Sequence, residues 1–236
     1  MIKKDDTMER VPTGIKNLDD GMMGGLVRNS INMIAGGPGS GKSIFAMQYL
    51  VNGATKYNEP GVYITLEEGK DNIMKNMNSF GWDLEKLDKE IKVSIIEISP
   101  TDIQLEVHKQ VEKLESQIIN KLKAKRIVID SMTSYSLLFK SELVLRASYL
   151  NLFKMLRNWK LCSLLTSEYD IEGHKVTPLD FEVDSILWIY NSKIKGIRTR
   201  SLEIFKMRGT KHTTKTFPMQ IKDNNGIIIY PAQNIF

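Results

Sequence analysis

A glycine-rich segment between a buried strand and a helix constrains the fold of this chain more than any other feature. Residues 36–43 read Gly-Gly-Pro-Gly-Ser-Gly-Lys-Ser. A short segment at 30–35 that reads as a buried strand precedes them, and apolar residues at helical spacing follow over 42–56. Glycines let several backbone N–H groups turn toward one anion, and a helix N-terminus adds partial positive charge. The pattern therefore predicts a loop that wraps a phosphate group.

The two residues at the end of this segment predict a nucleotide with its metal ion. A lysine at position 42 would reach the β- and γ-phosphate oxygens, and the hydroxyl of Ser43 would bind Mg²⁺. We therefore expect ATP or ADP and Mg²⁺ as ligands. The expected contacts of the nucleotide are Gly37, Pro38, Gly39, Ser40, Gly41, Lys42, Ser43 and Ile44.

Acidic residues end two further apolar runs. Asp130 ends the run Arg-Ile-Val-Ile-Asp, and Glu67 and Glu68 follow the strand-like segment 61–66. Ligands of open α/β sheets bind outside the carboxyl ends of the strands. Asp130 is therefore predicted to hold Mg²⁺, and a carboxylate of the glutamate pair could deprotonate the attacking water. From position alone, the pair could equally be solvated acids or a helix cap ahead of Gly69.

Strand-like and helical segments alternate along the chain, which indicates an α/β fold. Several strands are continuously apolar, as in parallel strands that helices cover on both faces. The predicted strands are 30–35, 61–66, 91–98, 126–130 and 161–166, and the predicted helices are 42–56, 70–80, a long one from Thr101 to Leu122, and one through Leu145 to Trp159. Segments 185–190 and 201–207 predict an antiparallel hairpin, and 226–230 a last strand. We expect one α/β domain over residues 1–236, a mostly parallel sheet with an antiparallel C-terminal edge.

Composition excludes several classes of protein. No run of about 18 uncharged apolar residues predicts a membrane span, and the acidic turn at residues 5–6 does not fit a secretory signal. The single cysteine, Cys162, cannot form an intrachain disulfide. These features predict a cytoplasmic protein. The net charge of +5 is concentrated near the C-terminus, since residues 193–222 hold nine lysines and arginines and one acid.

Six motifs together resemble the KaiC-like ATPases of the RecA superfamily, in particular their single-domain, archaeal-type members. Beside the phosphate loop they are Thr13-Gly14-Ile15 with Leu18-Asp19, Gly24-Gly25-Leu26, Thr65-Leu66-Glu67-Glu68, Ser79-Phe80-Gly81-Trp82-Asp83-Leu84 and Lys206-Met207-Arg208-Gly209-Thr210-Lys211-His212. The resemblance covers nearly the whole chain. The clock proteins of this family carry two such domains in tandem, whereas this length fits one, so a clock function is not implied.

The resemblance implies a RecA-like fold, slow ATP hydrolysis and a homo-oligomeric ring, six subunits in the family, with ATP between subunits. It implies that Glu67, beside Glu68, is the general base, and that Lys206 and Arg208 reach the phosphates of the neighbour's ATP. Further nucleotide contacts that it implies are Ser79, Met207, Thr210, His212 and Asp223. Without the resemblance, Lys206 and Arg208 could simply be charges that protect an exposed edge strand.

Two other functions remain open from the sequence. The first is a recombination or repair accessory that binds single-stranded DNA. The stretch 169–184 has five acids and one lysine, which opposes phosphate binding. The better DNA candidate is the predicted hairpin tip with Lys193, Lys195, Arg198 and Arg200, although these cations could equally pair with an acidic neighbouring subunit. The second is an autokinase or a nucleotide-gated signalling scaffold.

Overall fold

A nine-stranded sheet runs through the structure, a computed structural model that describes residues 8–98, 115–170, 173 and 177–231. The order of its strands is β11-β10-β9-β8-β3-β7-β6-β4-β5. Their bounds are β3 Ile31–Gly36, β4 Gly61–Thr65, β5 Val93–Glu97, β6 Arg126–Asp130, β7 Cys162–Glu168, β8 Ser185–Ile194, β9 Ile197–Met207, β10 Phe217–Lys222 and β11 Gly226–Ile229. Two short strands, β1 Arg10–Val11 and β2 Leu26–Val27, pair separately as an antiparallel ribbon.

Helices connect the strands of the sheet. They are α1 Lys42–Lys56, α2 Lys70–Met77, α3 Leu84–Lys89, α4 Met132–Leu137, α5 Glu142–Asn158 and α6 Pro178–Glu182. Single 3₁₀ turns lie at Asp19–Met22 and Asn78–Phe80, and a π-helical segment lies at Ser116–Lys121.

The sheet has a parallel part and an antiparallel part. The six strands from β8 to β5 are parallel, with β3 between β7 and β8. The remaining pairs, β8 with β9, β9 with β10 and β10 with β11, are antiparallel. All residues of β3 and β4 are buried, because helices cover both faces of the parallel part. The predicted fold class, a mostly parallel α/β sheet with an antiparallel C-terminal edge, is confirmed.

Each face of the sheet has its own apolar core. Helix α1 covers one face, where Phe45 and Tyr49 pack among buried residues of the strands such as Val128. Helix α5 covers the other face with Phe153 and Leu156. Since α1 starts directly after the loop that follows β3, the packing of α1 also fixes the end of the glycine-rich segment.

The described residues form several elements that the sequence did not predict, among them the short β1, β2, α3 and α6. The structure adds β10, a strand between the hairpin and β11, and α4, a helix directly after β6. The hairpin strands are also longer than expected, since their pairing continues to Ile194 and Ile197. Of the helix predicted from Thr101, residues 101–114 lie outside the described part, and Ser116–Lys121 is helical. No helix among the described residues is long and apolar enough to cross a membrane.

Candidate functional site

A cavity of about 330 Å³ opens at the carboxyl ends of β3, β4 and β6. It brings together the glycine-rich segment and the three acids that the sequence singled out. Its wall is formed by Pro38, Gly39, Gly41, Lys42, Ser43, Ile44, Thr65, Glu67, Glu68, Asp130, Ser131 and Glu168. Two further predicted contacts lie beside it. Gly37 lines a second, neighbouring cavity, and Ser40 is a buried residue of the loop.

Lys42 is buried at the start of α1 and is held by the loop itself. Its ammonium donates to the carbonyl of Gly36 at 2.9 Å and to that of Gly37 at 3.2 Å. Burial lowers the pKa of Lys42, while the carboxylates of Glu168, Asp130 and Glu67 act in the opposite direction. The Glu168 carboxylate lies 3.9 Å from the ammonium. An anion in the cavity would therefore meet a lysine that is desolvated and already directed by the backbone.

Asp130 is held by two hydroxyl groups at the floor of the cavity. The hydroxyls of Tyr63 and Thr166 donate to its two carboxylate oxygens. Burial raises the pKa of Tyr63 well above its ordinary value, so its hydroxyl keeps the proton that it donates. A carboxylate has about four lone-pair sites, which leaves capacity on Asp130 for a further ligand.

The oxygen donors at this end of the cavity fit Mg²⁺. The hydroxyl of Ser43 and the carboxylate of Asp130 line the same cavity. Mg²⁺ is commonly bound through one or two protein oxygens together with phosphates and water, rather than by a cage of side chains. Among the residues that the structure describes, no group of three or more His, Cys, Asp or Glu forms such a cage.

The two glutamates after β4 have different surroundings. The Glu67 carboxylate accepts from Ser131 Oγ at 2.7 Å and from the hydroxyl of Ser134. The Glu68 carboxylate instead accepts from Asn76 Nδ2 in α2 at 2.6 Å. Both line the cavity, but hydroxyls that follow the Asp130 strand orient only Glu67. Tyr63, Ser131 and Ser134 carry no sequence signal for these contacts, because their hydrogen bonds to Asp130 and Glu67 depend on the pairing of β4 with β6.

Lys206 and Arg208 bind the backbone of their own chain near α6. The Lys206 ammonium donates to the carbonyls of Asp180 at 2.7 Å and Val183 at 2.9 Å. Burial lowers the pKa of Lys206, and the positive charge of Arg208 lowers it further. The Arg208 guanidinium donates to the carbonyl of Phe181 and lies 3.7 Å from the Asp184 carboxylate.

These two cations lie at the opposite end of the sheet from the cavity. The backbone N–H of Arg208 donates to Asp184, whose own N–H donates to Ile31 at the start of β3. The glycine-rich segment begins at Gly36, the last residue of the same strand. At 3.3 Å per residue, the length of β3 places the Arg208 backbone roughly 16 Å from the loop along the strand direction.

The remaining predicted contacts also lie off the cavity wall. Met207 is buried, the Thr210 hydroxyl accepts from Arg10 at 2.8 Å, and His212 Nδ1 lies 2.9 Å from the Thr213 carbonyl. Ser79 lies near the exposed Asp223, because the N–H of the next residue, Asn224, donates to the Ser79 carbonyl at 2.9 Å.

Comparison with known proteins agrees with the fold and the motifs. A family model described as the ATPase KaiC matches residues 11–234. The chain is 35% identical to a UPF0273 protein of Methanocaldococcus jannaschii, over 95% of this chain and 97% of the relative. It is 33% identical to the circadian clock oscillator protein KaiC of Prochlorococcus marinus subsp. pastoris, over 94% of this chain but 45% of the relative's length.

A solved structure matches the whole architecture. The crystal structure of a KaiC-like protein from Pyrococcus horikoshii has a TM-score of 0.85 at 32% sequence identity, over 95% of this chain and 100% of that one. The alignment of sequence and the alignment of structure thus point to the same group of proteins. The chain belongs to the KaiC family of ATPases, which share the RecA-like fold.

Proposed function

We propose that this protein is a Mg²⁺-dependent ATP hydrolase that binds its nucleotide at interfaces between identical subunits, arranged as a ring. One observation carries the proposal: the chain has the cavity with the phosphate loop at one end of its sheet and a lysine–arginine pair at the other end. The pair is too far from its own cavity to contact a phosphate there. A second copy of the chain could bring Lys206 and Arg208 to it.

Within one subunit, several polar groups of the cavity have a part in the proposed reaction. Lys42 and the backbone N–H groups of the loop bind the phosphates, and Ser43 and Asp130 hold the metal ion. Bound Mg²⁺ would neutralise charge that develops on the phosphate oxygens. Glu67, oriented by the hydroxyls of Ser131 and Ser134, would orient a water and accept its proton.

The neighbouring subunit would complete the site. An arginine supplied from outside the subunit can accelerate γ-phosphate hydrolysis by about 10³–10⁵. Lys206 lies in β9 and Arg208 directly follows this strand. Both side chains donate to carbonyls of residues 180–183, so they lie close together. We expect slow turnover, because both must release their carbonyl partners near α6 before they can contact a phosphate.

Phosphate release from ATP tests this proposal. We expect release by the wild-type protein with Mg²⁺, and near-complete loss in Lys42→Ala and after removal of Mg²⁺ with a chelator. Glu67→Gln should bind ATP but lose hydrolysis by about 10²–10⁴. Glu68→Gln is the matched control and should retain most activity. Wild-type release no faster than that of Lys42→Ala would contradict the proposal.

A second candidate function is binding of single-stranded DNA by the hairpin tip. The observation that favours it is exposure: Lys193, Lys195 and Arg198 are exposed around the turn at Gly196. Binding to oligonucleotides that weakens steeply with salt would support it. No binding at low salt would exclude it, and the ATPase proposal would stand unchanged.

A further inference from the structure

The β8–β9 hairpin lies against the phosphate loop, residues 36–43. A cavity of about 1050 Å³ lies between them, with Gly37, Pro38 and Gly39 on one wall and Asn191, Arg198 and Arg200 on another. Arg200 contacts the loop directly. Its Nε and Nη2 donate to the carbonyl of Gly39 at 3.1 and 3.0 Å.

This contact restrains one peptide unit of the loop at both ends. The carbonyl of the Gly39–Ser40 unit accepts from Arg200, and the N–H of the same unit donates to Gly37 at 3.3 Å. Because the C=O and N–H of a trans peptide point in opposite directions, rotation of this unit would break both bonds. Gly39 itself has φ +69°. Glycine can adopt this backbone conformation and several others at similar energy. Without Arg200, only the hydrogen bond from the Ser40 N–H to the Gly37 carbonyl would restrain this unit within the loop.

We propose that Arg200 is a positioning residue, which holds the phosphate loop in the conformation that receives a nucleotide. It acts through the carbonyl of Gly39, a residue that lines both the 330 Å³ cavity and the 1050 Å³ cavity. A charged donor forms a stronger hydrogen bond than a neutral one. A loop that is ordered in advance loses less conformational entropy when ligand binds. The inference rests on the proposed function, since it assumes that the loop binds nucleotide.

A matched pair of variants separates positioning from charge. Arg198 is two residues away on the same strand and carries the same charge, but its Nη1 donates to the Asn191 carbonyl at 2.9 Å instead of to the loop. We expect Arg200→Met to weaken ADP binding about tenfold, the effect of one charge-assisted hydrogen bond. Arg198→Met should change it less than about twofold. Arg200→Lys should recover part of the loss, because one ammonium can still reach a carbonyl.

Two readouts distinguish positioning from catalysis and from general stability. In ATP hydrolysis, Arg200→Met should raise KM and leave kcat at saturating ATP near the wild-type value. In the nucleotide-free protein, hydrogen–deuterium exchange of the loop amides should become faster in Arg200→Met and not in Arg198→Met. The thermal midpoints of the two variants should match.

The exchange experiment keeps this inference separate from the proposed function. If the wild-type protein binds no ADP, the proposed function fails, while faster loop exchange in Arg200→Met still supports positioning. Unchanged loop exchange overturns the inference. So does unchanged ADP affinity in a protein that binds ADP, and a loss confined to kcat would instead assign Arg200 to the reaction.

Discussion

Arg126 is a charged residue with no exposed surface, at the first position of a strand in the parallel sheet. Its Nε and Nη2 donate to Glu59 at 2.8 and 2.6 Å, and Nη1 donates to the Tyr49 carbonyl at 2.9 Å. The guanidinium also lies 4.6 Å from the centre of the Tyr49 ring. The ion pair of Arg126 with Glu59, together with the bond to Tyr49, therefore joins the start of β6 to the loop before β4 and to α1.

Removal of the arginine should leave the Glu59 carboxylate, whose side chain is only 14% exposed, with Arg28 as its one remaining ionic partner. We expect Arg126→Met to lower the free energy of unfolding by about 3–5 kcal/mol in urea titration. Glu59→Gln added to Arg126→Met should recover part of this loss, because the carboxylate that has lost one of its two ionic partners is then neutral. The control is Lys70→Met, which breaks the more exposed pair with Asp88 and should cost less than about 1 kcal/mol. Equal losses in the two single variants would contradict this reasoning.

The same pair predicts a dependence of stability on pH. Burial would raise the pKa of Glu59, but hydrogen bonds and charge from Arg28 and Arg126 outweigh it, and the pKa is lowered. Because the pKa of Glu59 is lower in the folded state, its ionisation stabilises the protein at pH values above the unfolded-state pKa of about 4.3. This stabilisation is lost as pH falls through the folded-state pKa. The difference in unfolding free energy between the wild type and Glu59→Gln should therefore shrink from pH 7 to pH 3, and a constant difference would contradict the assignment.

At the scale of elements, α1 contains a glycine where a helix would ordinarily gain from alanine. A Cβ at Gly53 would lie 2.5 Å from Cδ and from Nε of Arg126. Alanine usually stabilises a helix by up to about 1 kcal/mol relative to glycine. Here we expect Gly53→Ala to destabilise the protein by about 1–3 kcal/mol, since the buried guanidinium must move.

A second helix provides the control for this prediction. Asn151 is exposed in the middle of α5, and Asn151→Ala should stabilise the protein by up to about 0.7 kcal/mol. Both variants can be compared by thermal or urea unfolding. A gain in stability for Gly53→Ala would show that the α1–β6 contact tolerates the added methyl group.

Local patterns predicted some elements well and could not predict others. The short, mostly apolar segment of β3 and the helical spacing of α1 identified both elements to within about one residue at their ends. Strand β10 was missed because Pro218 lacks the N–H that a strand between two partners normally donates. Helix α4 was missed because six residues are too short for a helical period to show.

The candidate site divides in the same way. The loop, Lys42, Ser43 and Asp130 lie in local motifs, and the structure brings them to one cavity as expected. The hydrogen bond from Ser131 to Glu67 joins residues 64 positions apart, and the bond from Arg200 to Gly39 joins residues 161 positions apart. Such contacts depend on the order of strands in the sheet, which local periodicity does not encode.

At the scale of the whole molecule, part of the basic C-terminal region donates hydrogen bonds to backbone carbonyls. Of the nine cations in 193–222, Arg200 binds a carbonyl of the phosphate loop, and Lys206 and Arg208 bind carbonyls of residues 180–183. Phe181 supplies one of these carbonyls, and its side chain is exposed. An interface there could bury Phe181 and release the two cations toward a neighbouring nucleotide.

Mixing two inactive variants tests whether the site spans two subunits. Lys42→Ala should lack nucleotide binding, and Arg208→Ala should lack the group supplied to the neighbour, so each alone should hydrolyse almost no ATP. In a ring with head-to-tail interfaces, one kind of mixed interface would pair an intact loop with an intact Arg208. Random assembly of equal amounts should then recover about a quarter of wild-type phosphate release.

The control for this recovery is a mixture that cannot form an intact interface. Lys42→Ala combined with the double variant Lys42→Ala, Arg208→Ala has no intact loop in any subunit and should stay inactive. Size-exclusion chromatography of each mixture with ATP and Mg²⁺ would verify that the variants assemble together. Recovery in the first mixture alone would support a shared site. Activity of the first mixture no greater than the sum of its parts, in particles that contain both variants, would show that Arg208 does not act across the interface.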